Sequence, residues 1–269
     1  MIKVNHFPKL LMTMALLWCS ACTSDMELGE AAFENGDYDA ALEHFVSADK
    51  LNPDTPKILY NIGRCYEELE QYKEAIPYFS RSLKIDKKMI EGYLGRARCN
   101  MKLEKYEGVI LDAENALSVS EKVFDAHRLM AMSCFKVNRF IDASHHFNEA
   151  IKLNPEHINS YYQRGVARAS MGDQLGALHD LNFYIKEKPN TGQAYYNRGM
   201  LLEQIGNFPL AVADYTKAIS LNVSNQDVFY KRGVCYYRTR NQKAACQDFK
   251  QLAQYDKALA SQAMKEYCM

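Results

Sequence analysis

From Cys22 to Leu259, small and apolar positions recur every 34 residues, seven times, without insertion or deletion. The eighth place of each period holds Gly29, Gly63, Ala97, Ala131, Gly165, Gly199 and Gly233, and the twentieth holds Ala41, Ala75, Val109, Ala143, Ala177, Ala211 and Ala245. The twenty-seventh holds Ala48, Ser82, Ala116, Ala150, Tyr184, Ala218 and Leu252. Within a period the apolar places fall into two runs at helical spacing. In the second period Leu59, Ile62, Gly63 and Tyr66 share one face, and Ala75, Ile76, Phe79, Ser82 and Leu83 share another. Polar turns such as Gly172-Asp-Gln174 and Gly206-Asn-Phe208 part the two runs, and Leu51-Asn-Pro53 and Leu153-Asn-Pro155 close second helices, because proline cannot continue a helix. A fixed period of this length predicts a solenoid of helix pairs.

Stretches such as Gly36-Asp-Tyr-Asp-Ala-Ala-Leu42 and Ala194-Tyr-Tyr-Asn-Arg-Gly199 carry a resemblance to the tetratricopeptide repeat family. The units are 22–55, 56–89, 90–123, 124–157, 158–191, 192–225 and 226–259, followed by a short tail, 260–269. The resemblance implies an all-α, right-handed α-solenoid whose first helices line a concave groove. Tyr184 and Leu252 put bulk at a normally small place, and Glu121 stands where proline is common.

The first residues differ. Lys3 and Lys9 precede the apolar run Leu10–Trp18, which leads into Ser20-Ala-Cys22. Such a stretch reads as an export signal, residues 1–21, and is too short to span a bilayer, which needs about 20 residues. Either an ordinary signal peptidase cuts nearby, or Cys22 is the lipidated first residue of an envelope lipoprotein. Ser20-Ala21 before Cys22 resembles a lipobox and favours the second reading, although Cys19 stands where leucine is usual. The localisation expected is the cell envelope, with an outer-membrane lipoprotein preferred.

A second regularity concerns charge. Arg96, Arg164, Arg198 and Arg232 occupy the seventh place of four periods, and the same four carry Asp112, Asp180, Asp214 and Asp248 at the twenty-third. The other three periods have neither. An antiparallel pair turning near the fifteenth place sets these two places opposite each other, so they are expected to form structural ion pairs.

Family geometry puts the fifth place in the groove, where Tyr60, Tyr162, Tyr196 and Tyr230 form a lane extended by Tyr237. These tyrosines either meet a partner or pack between repeats. Glu30, Glu34, Glu67 and Glu68 make one end acidic, whereas Arg64, Arg98, Arg128, Lys102 and Lys136 make the middle basic, suited to an acidic segment or a chain-terminal carboxylate. The partner-binding candidates are therefore Tyr60, Arg64, Arg98, Arg128, Tyr162, Tyr196, Tyr230 and Tyr237. No repeat has lysine at the fifth place or asparagine at the ninth, which disfavours the family's chaperone-terminus clamp.

Lysine plus arginine and aspartate plus glutamate both number 33, so net charge is zero and nucleic acid is not the expected partner. Cys65, Cys99, Cys134 and Cys235 fall at inward places and read as small core residues. A Cys235–Cys246 bridge is the alternative in an oxidising compartment. Cys268 reads as the reactive thiol. No phosphate loop, nucleophile elbow or metal-spaced ligand set occurs, so no cofactor, metal or catalytic residue is expected.

The chain is accordingly expected to be a non-enzymatic scaffold of the envelope that binds proteins or peptides and is held to a membrane by a lipid. The alternatives are an assembly subunit dimerising or stacking through a bare C-terminal edge, and a groove-based hydrolase.

Overall fold

The computed structural model describes residues 24–268. Among them there are only helices and turns. One helix, α1, runs over 24–34. It is followed by α2 (Tyr38–Leu51), α3 (Pro56–Glu68), α4 (Tyr72–Ile85), α5 (Ile90–Lys102), α6 (Tyr106–Val119) and α7 (Phe124–Lys136). Then come α8 (Phe140–Leu153), α9 (Ile158–Met171), α10 (Gln174–Glu187), α11 (Gly192–Gln204), α12 (Phe208–Ser220), α13 (Gln226–Arg238), α14 (Gln242–Leu252) and α15 (Lys257–Tyr267). The chain forms two compact units that divide between Val137 and Asn138, within the turn of the fourth period. The first holds α1–α7 and the second α8–α15. This is the all-α, helix-turn-helix repeat architecture of an α-solenoid.

Each helix pair turns through a left-handed residue at the fifteenth place. Gly36, Gly172 and Gly206 take φ of +78, +86 and +81°, and Glu70, Glu104, Asn138 and Arg240 take +57 to +61°. That residue lets the next N–H reach back five positions, as in Asp37 N–H to Ala32 O, Gln71 to Tyr66 and Asp173 to Arg168, closing the first helix with a Schellman bond. The sixteenth place then starts the second helix. Asp37, Asp173, Asn207 and Asn241 accept from the backbone N–H three residues on, satisfying a donor that the helix leaves unpaired.

In both units each helix packs on its chain neighbours, and first helices also touch the next first helix: α3 on α5 and α5 on α7, then α9 on α11 and α11 on α13. Small places carry this packing. A Cβ added at Gly63 would lie 2.9 Å from the Phe79 ring, and one at Gly95 2.6 Å from it. Phe79 is fully buried, wedged where its own repeat and the next both omit a side chain. Phe249 sits the same way against Gly233.

The C-terminal edge is not bare. Lys257–Tyr267 forms a single helix against α13 and α14, with Ala260 and Ala263 buried. The short tail was expected to leave that edge open because it cannot supply a helix pair. One helix covers it instead, and it begins inside the last period, so the premise for dimerisation through that edge is removed.

Candidate functional site

The seventh-place arginines and twenty-third-place aspartates are brought together in all four periods. Arg164 forks onto Asp180 (Nε to Oδ2 2.8 Å, Nη2 to Oδ1 2.7 Å). Arg198–Asp214 and Arg232–Asp248 repeat the fork at 2.7–2.8 Å, and Arg96 Nη2 lies 2.6 Å from Asp112 Oδ1. The remaining Nη1 of each arginine donates to the twenty-fifth place of the preceding repeat: Ser80 Oγ, Asn148 Oδ1, Asn182 Oδ1 and Thr216 Oγ1, at 2.8–3.1 Å. Every such arginine thus joins three helices. Burial pushes the Asp112 carboxyl above its ordinary value, against the lowering effect of Arg96 and Asn100. The Asp214 hydrogen bond leads in raising Arg198, against the lowering effect of burial. These charges hold the repeats together and leave little for a ligand.

In the first unit, Tyr60 and Arg64 line one cavity of about 390 Å³ with Phe33, Glu34, Asn61 and Glu91. The Arg64 guanidinium stands 4.0 Å above the Phe33 ring and makes no ion pair among the described residues, while the neighbouring Glu30 is tied to Lys57 at 2.8 Å. Tyr60 packs its ring on Phe79, 5.8 Å away, and burial raises its hydroxyl pKa. Asn61, at the sixth place, is 5% exposed, and its Nδ2 has no acceptor among the described residues. An orphaned buried donor costs about 1–3 kcal/mol, and this one lies against a cavity from which an acceptor can reach it.

The same place in the second unit shows what satisfies such an amide. Asn197 Nδ2 donates to the hydroxyl of Tyr162, at 2.8 Å, from the fifth place of the preceding repeat. The residue before Asn61 in that register is Met26, which offers no comparable acceptor. Asn61 was not among the residues singled out from the sequence. The sixth place carried no signal, since Asn61 and Asn197 are the two asparagines among its seven residues.

Arg98 and Arg128 line a second cavity in the first unit, of about 380 Å³, with Glu67, Tyr72, Lys102 and Met132. The basic middle expected there is largely neutralised. Glu67 holds Arg98 by two hydrogen bonds, 2.5 and 2.8 Å, and Asp125 holds Arg128 at 2.9 Å. Lys102 makes no ion pair among the described residues, and Lys136 is exposed. The first-helix face is therefore a mixed surface on which Arg64 has no ion pair among the described residues.

The tyrosine lane of the second unit is mainly packing. Tyr162 lies 4.8 Å from the Tyr184 ring, and Tyr196, 8% exposed, lies 5.9 Å from Tyr215. Tyr230 sits 6.2 Å from Phe249, and Tyr237, 41% exposed, faces the Tyr267 ring at 5.0 Å.

The cysteines correct the sequence reading. Cys246 is bridged to Cys268, with Cα atoms 5.9 Å apart, and Cys235 is unbridged. Cys235 points into the core from α13, fully buried, whereas Cys246 lies on the side of α14 that the final helix reaches. Cys268 is accordingly no free thiol. Cys22 lies outside the described residues. Among those described, no group of side chains could hold a metal ion and no helix is long and apolar enough to cross a membrane.

Comparison with known proteins agrees with this architecture. Family models for the tetratricopeptide repeat match residues 26–89, 192–225 and 227–258. The C-terminal part of a repeat protein from Cytophaga hutchinsonii superposes with a TM-score of 0.71 at 18% identity, covering 89% of this chain and 99% of that one. A tetratricopeptide repeat protein from Parabacteroides merdae gives 0.63 at 19% identity, covering 91% and 98%. YrrB, described as having an unusual peptide-binding site, gives 0.62 at 20% identity, covering 66% and 91%. Curated relatives match over short segments. Anaphase-promoting complex subunit 3 of Schizosaccharomyces pombe is 34% identical over 61 residues, 23% of this chain and 9% of its own length. Stress-induced-phosphoprotein 1 of Caenorhabditis elegans is 29% identical over 66 residues, 24% of this chain and 21% of its own length. By its period, its helix pairs and these matches, the chain belongs to the tetratricopeptide repeat family.

Proposed function

We propose that the chain is a non-enzymatic scaffold of the cell envelope that docks an extended peptide segment on the first helices of its first unit, at the cavity bounded by Phe33, Tyr60, Asn61 and Arg64. The observation that carries this reading is the buried Asn61 amide without an acceptor. A peptide carbonyl or carboxylate supplies that acceptor, Arg64 offers a second donor, and the Phe33 and Tyr60 rings give apolar contact. A lipid on Cys22 holds the scaffold to a membrane. Ser24 is already helical, so the tether spans only two residues and keeps the first repeat within about 7 Å of its anchor.

Selection of a displayed random-peptide library against the purified protein tests the docking site. Peptides selected on the wild type should lose at least tenfold in affinity on Asn61→Leu and on Arg64→Gln, with both variants melting like the wild type. Selected peptides that bind both variants unchanged would remove the site. Labelling with a fatty-acid analogue, present in the wild type and lost in Cys22→Ser, tests the anchor separately.

A further inference from the structure

The last helix is held by one covalent bond and few deep contacts. Only Ala260 and Ala263 of α15 are fully withdrawn from solvent, and Leu259, Met264 and Tyr267 are partly so. They meet Phe249, Leu252 and Cys235 of the last repeat. An eleven-residue helix is marginal by itself, and an alanine face buries little apolar area to offset its ordering. At the far end of α15 the Tyr267 ring lies 5.0 Å from Tyr237 and 5.4 Å from Phe249. The Tyr267 carbonyl accepts from Gln242 Nε2 at 3.2 Å, and the next residue, Cys268, is bridged to Cys246 of α14. The helix is thus pinned at its start by the chain and at its end by a disulfide.

We propose that α15 is a redox-controlled cover over Tyr230 and Tyr237, docked while the Cys246–Cys268 bridge is intact and released when it is reduced. Both bridge cysteines are half-buried, so a reductant can approach them. Cys65, Cys99 and Cys235 are fully buried, and burial pushes their thiols up to about 12. They are therefore protonated and enclosed, and cannot capture the bridge by internal exchange. Opening requires an external dithiol. Its thiolate attacks one bridge sulfur, forming a mixed disulfide and expelling the other cysteine as a thiolate, which takes up a proton. The second thiol of the reductant then resolves the mixed disulfide, leaving Cys246 and Cys268 as two thiols and the reductant oxidised by two electrons. Without the bridge, α15 retains its alanine face, the half-buried Leu259, Met264 and Tyr267, and the Gln242 hydrogen bond, and its release bares the apolar faces of Tyr230, Tyr237 and Phe249. This cover is independent of the Asn61 cavity, which lies in the other unit.

Hydrogen exchange of the full chain, read by mass spectrometry before and after dithiothreitol, tests the proposal. The untreated protein should be lighter than the reduced protein by two hydrogens. After reduction, peptides over 257–268 should exchange at least tenfold faster and those over 226–241 should follow, while those over 158–187 stay unchanged. Cys268→Ser kept under oxidising conditions should match the reduced wild type, and Cys246→Ser serves as the second variant if either misfolds. Equal exchange of 257–268 in the bridged and reduced states overturns the proposal. So does complete alkylation of both cysteines without reductant in protein isolated from an oxidising compartment.

Discussion

Asp180 accepts hydrogen bonds from two arginines at once: the fork of Arg164 at 2.7 and 2.8 Å, and Nη1 of Arg168 at 2.9 Å. Asp180 is fully buried and Arg164 is 7% exposed. Removing the carboxylate strands both guanidinium groups, whereas removing Arg164 leaves Asp180 with Arg168. Asp180→Leu should therefore cost about 3–5 kcal/mol and Arg164→Met clearly less, read as urea midpoints followed by circular dichroism. Arg232 and Asp248 have no second arginine, so Asp248→Leu and Arg232→Met should cost similar amounts. Equal losses from Asp180→Leu and Arg164→Met would show that Arg168 does not compensate.

Gly95→Ala should destabilise even though alanine is the better helix former by about 1 kcal/mol. The added methyl would lie 2.6 Å from the buried Phe79 ring, and overpacking of that kind costs about 1–3 kcal/mol. In a Phe79→Leu background the space opens and the same substitution should turn neutral or stabilising. Thermal midpoints of the four proteins read this reversal of sign directly.

Four inter-helix turns hold side chains in a left-handed conformation that glycine takes at no steric cost. Glu104→Gly, at φ +57°, should stabilise by roughly 1 kcal/mol, and Gly172→Ala, at φ +86°, should destabilise by a similar amount. A lower midpoint for Glu104→Gly would mean that the glutamate side chain contributes more than the turn costs.

Acid should act on Asp112 in a defined direction. Burial raises its carboxyl above 3.8, with Arg96 and Asn100 opposing. A folded-state pKa above the unfolded one gives a contribution that is fully present below the unfolded pKa and lost as pH rises through the folded pKa. The wild type should therefore gain stability relative to Asp112→Asn as pH falls from neutral to about 4. Urea midpoints at both pH values check this, and the Asp112 carboxyl resonance should titrate above 3.8.

Much of this fold is legible along the chain because helix pairs impose one period on every residue. The seventh and twenty-third places meet as antiparallel geometry requires. The reach of each arginine to the twenty-fifth place of the preceding repeat was not legible: Ser80, Asn148, Asn182 and Thr216 stand there, but the polar Glu114 precedes the Met130 repeat, which has no such arginine. Nor was the orphaned amide of Asn61, because it depends on which residue the preceding helix presents to it. Place numbers describe one repeat, while satisfaction of Asn61 is a relation between two. Nor was α15 legible, since it starts at Lys257 and cuts across the last period. Its signals are local, an Asp256 cap on Leu259 N–H and two inward alanines, and a 34-residue rule is blind to them.

The shared arginines also make the joints between repeats unequal. A solenoid behaves as a row of modules whose stability is the sum of each module and its contact with the next. Where Arg96, Arg164, Arg198 or Arg232 reaches back across a joint, neighbouring modules are coupled by polar bonds as well as by apolar contact. At the joints before α3 and α7, Ile62 and Met130 occupy that place and cannot make this bond; the exposed pairs Lys57–Glu30 and Arg81–Asp54 cross the first joint instead. Under heat or mechanical load the array should part first at those two seams and last within 158–252, where three arginine-bearing repeats run in succession.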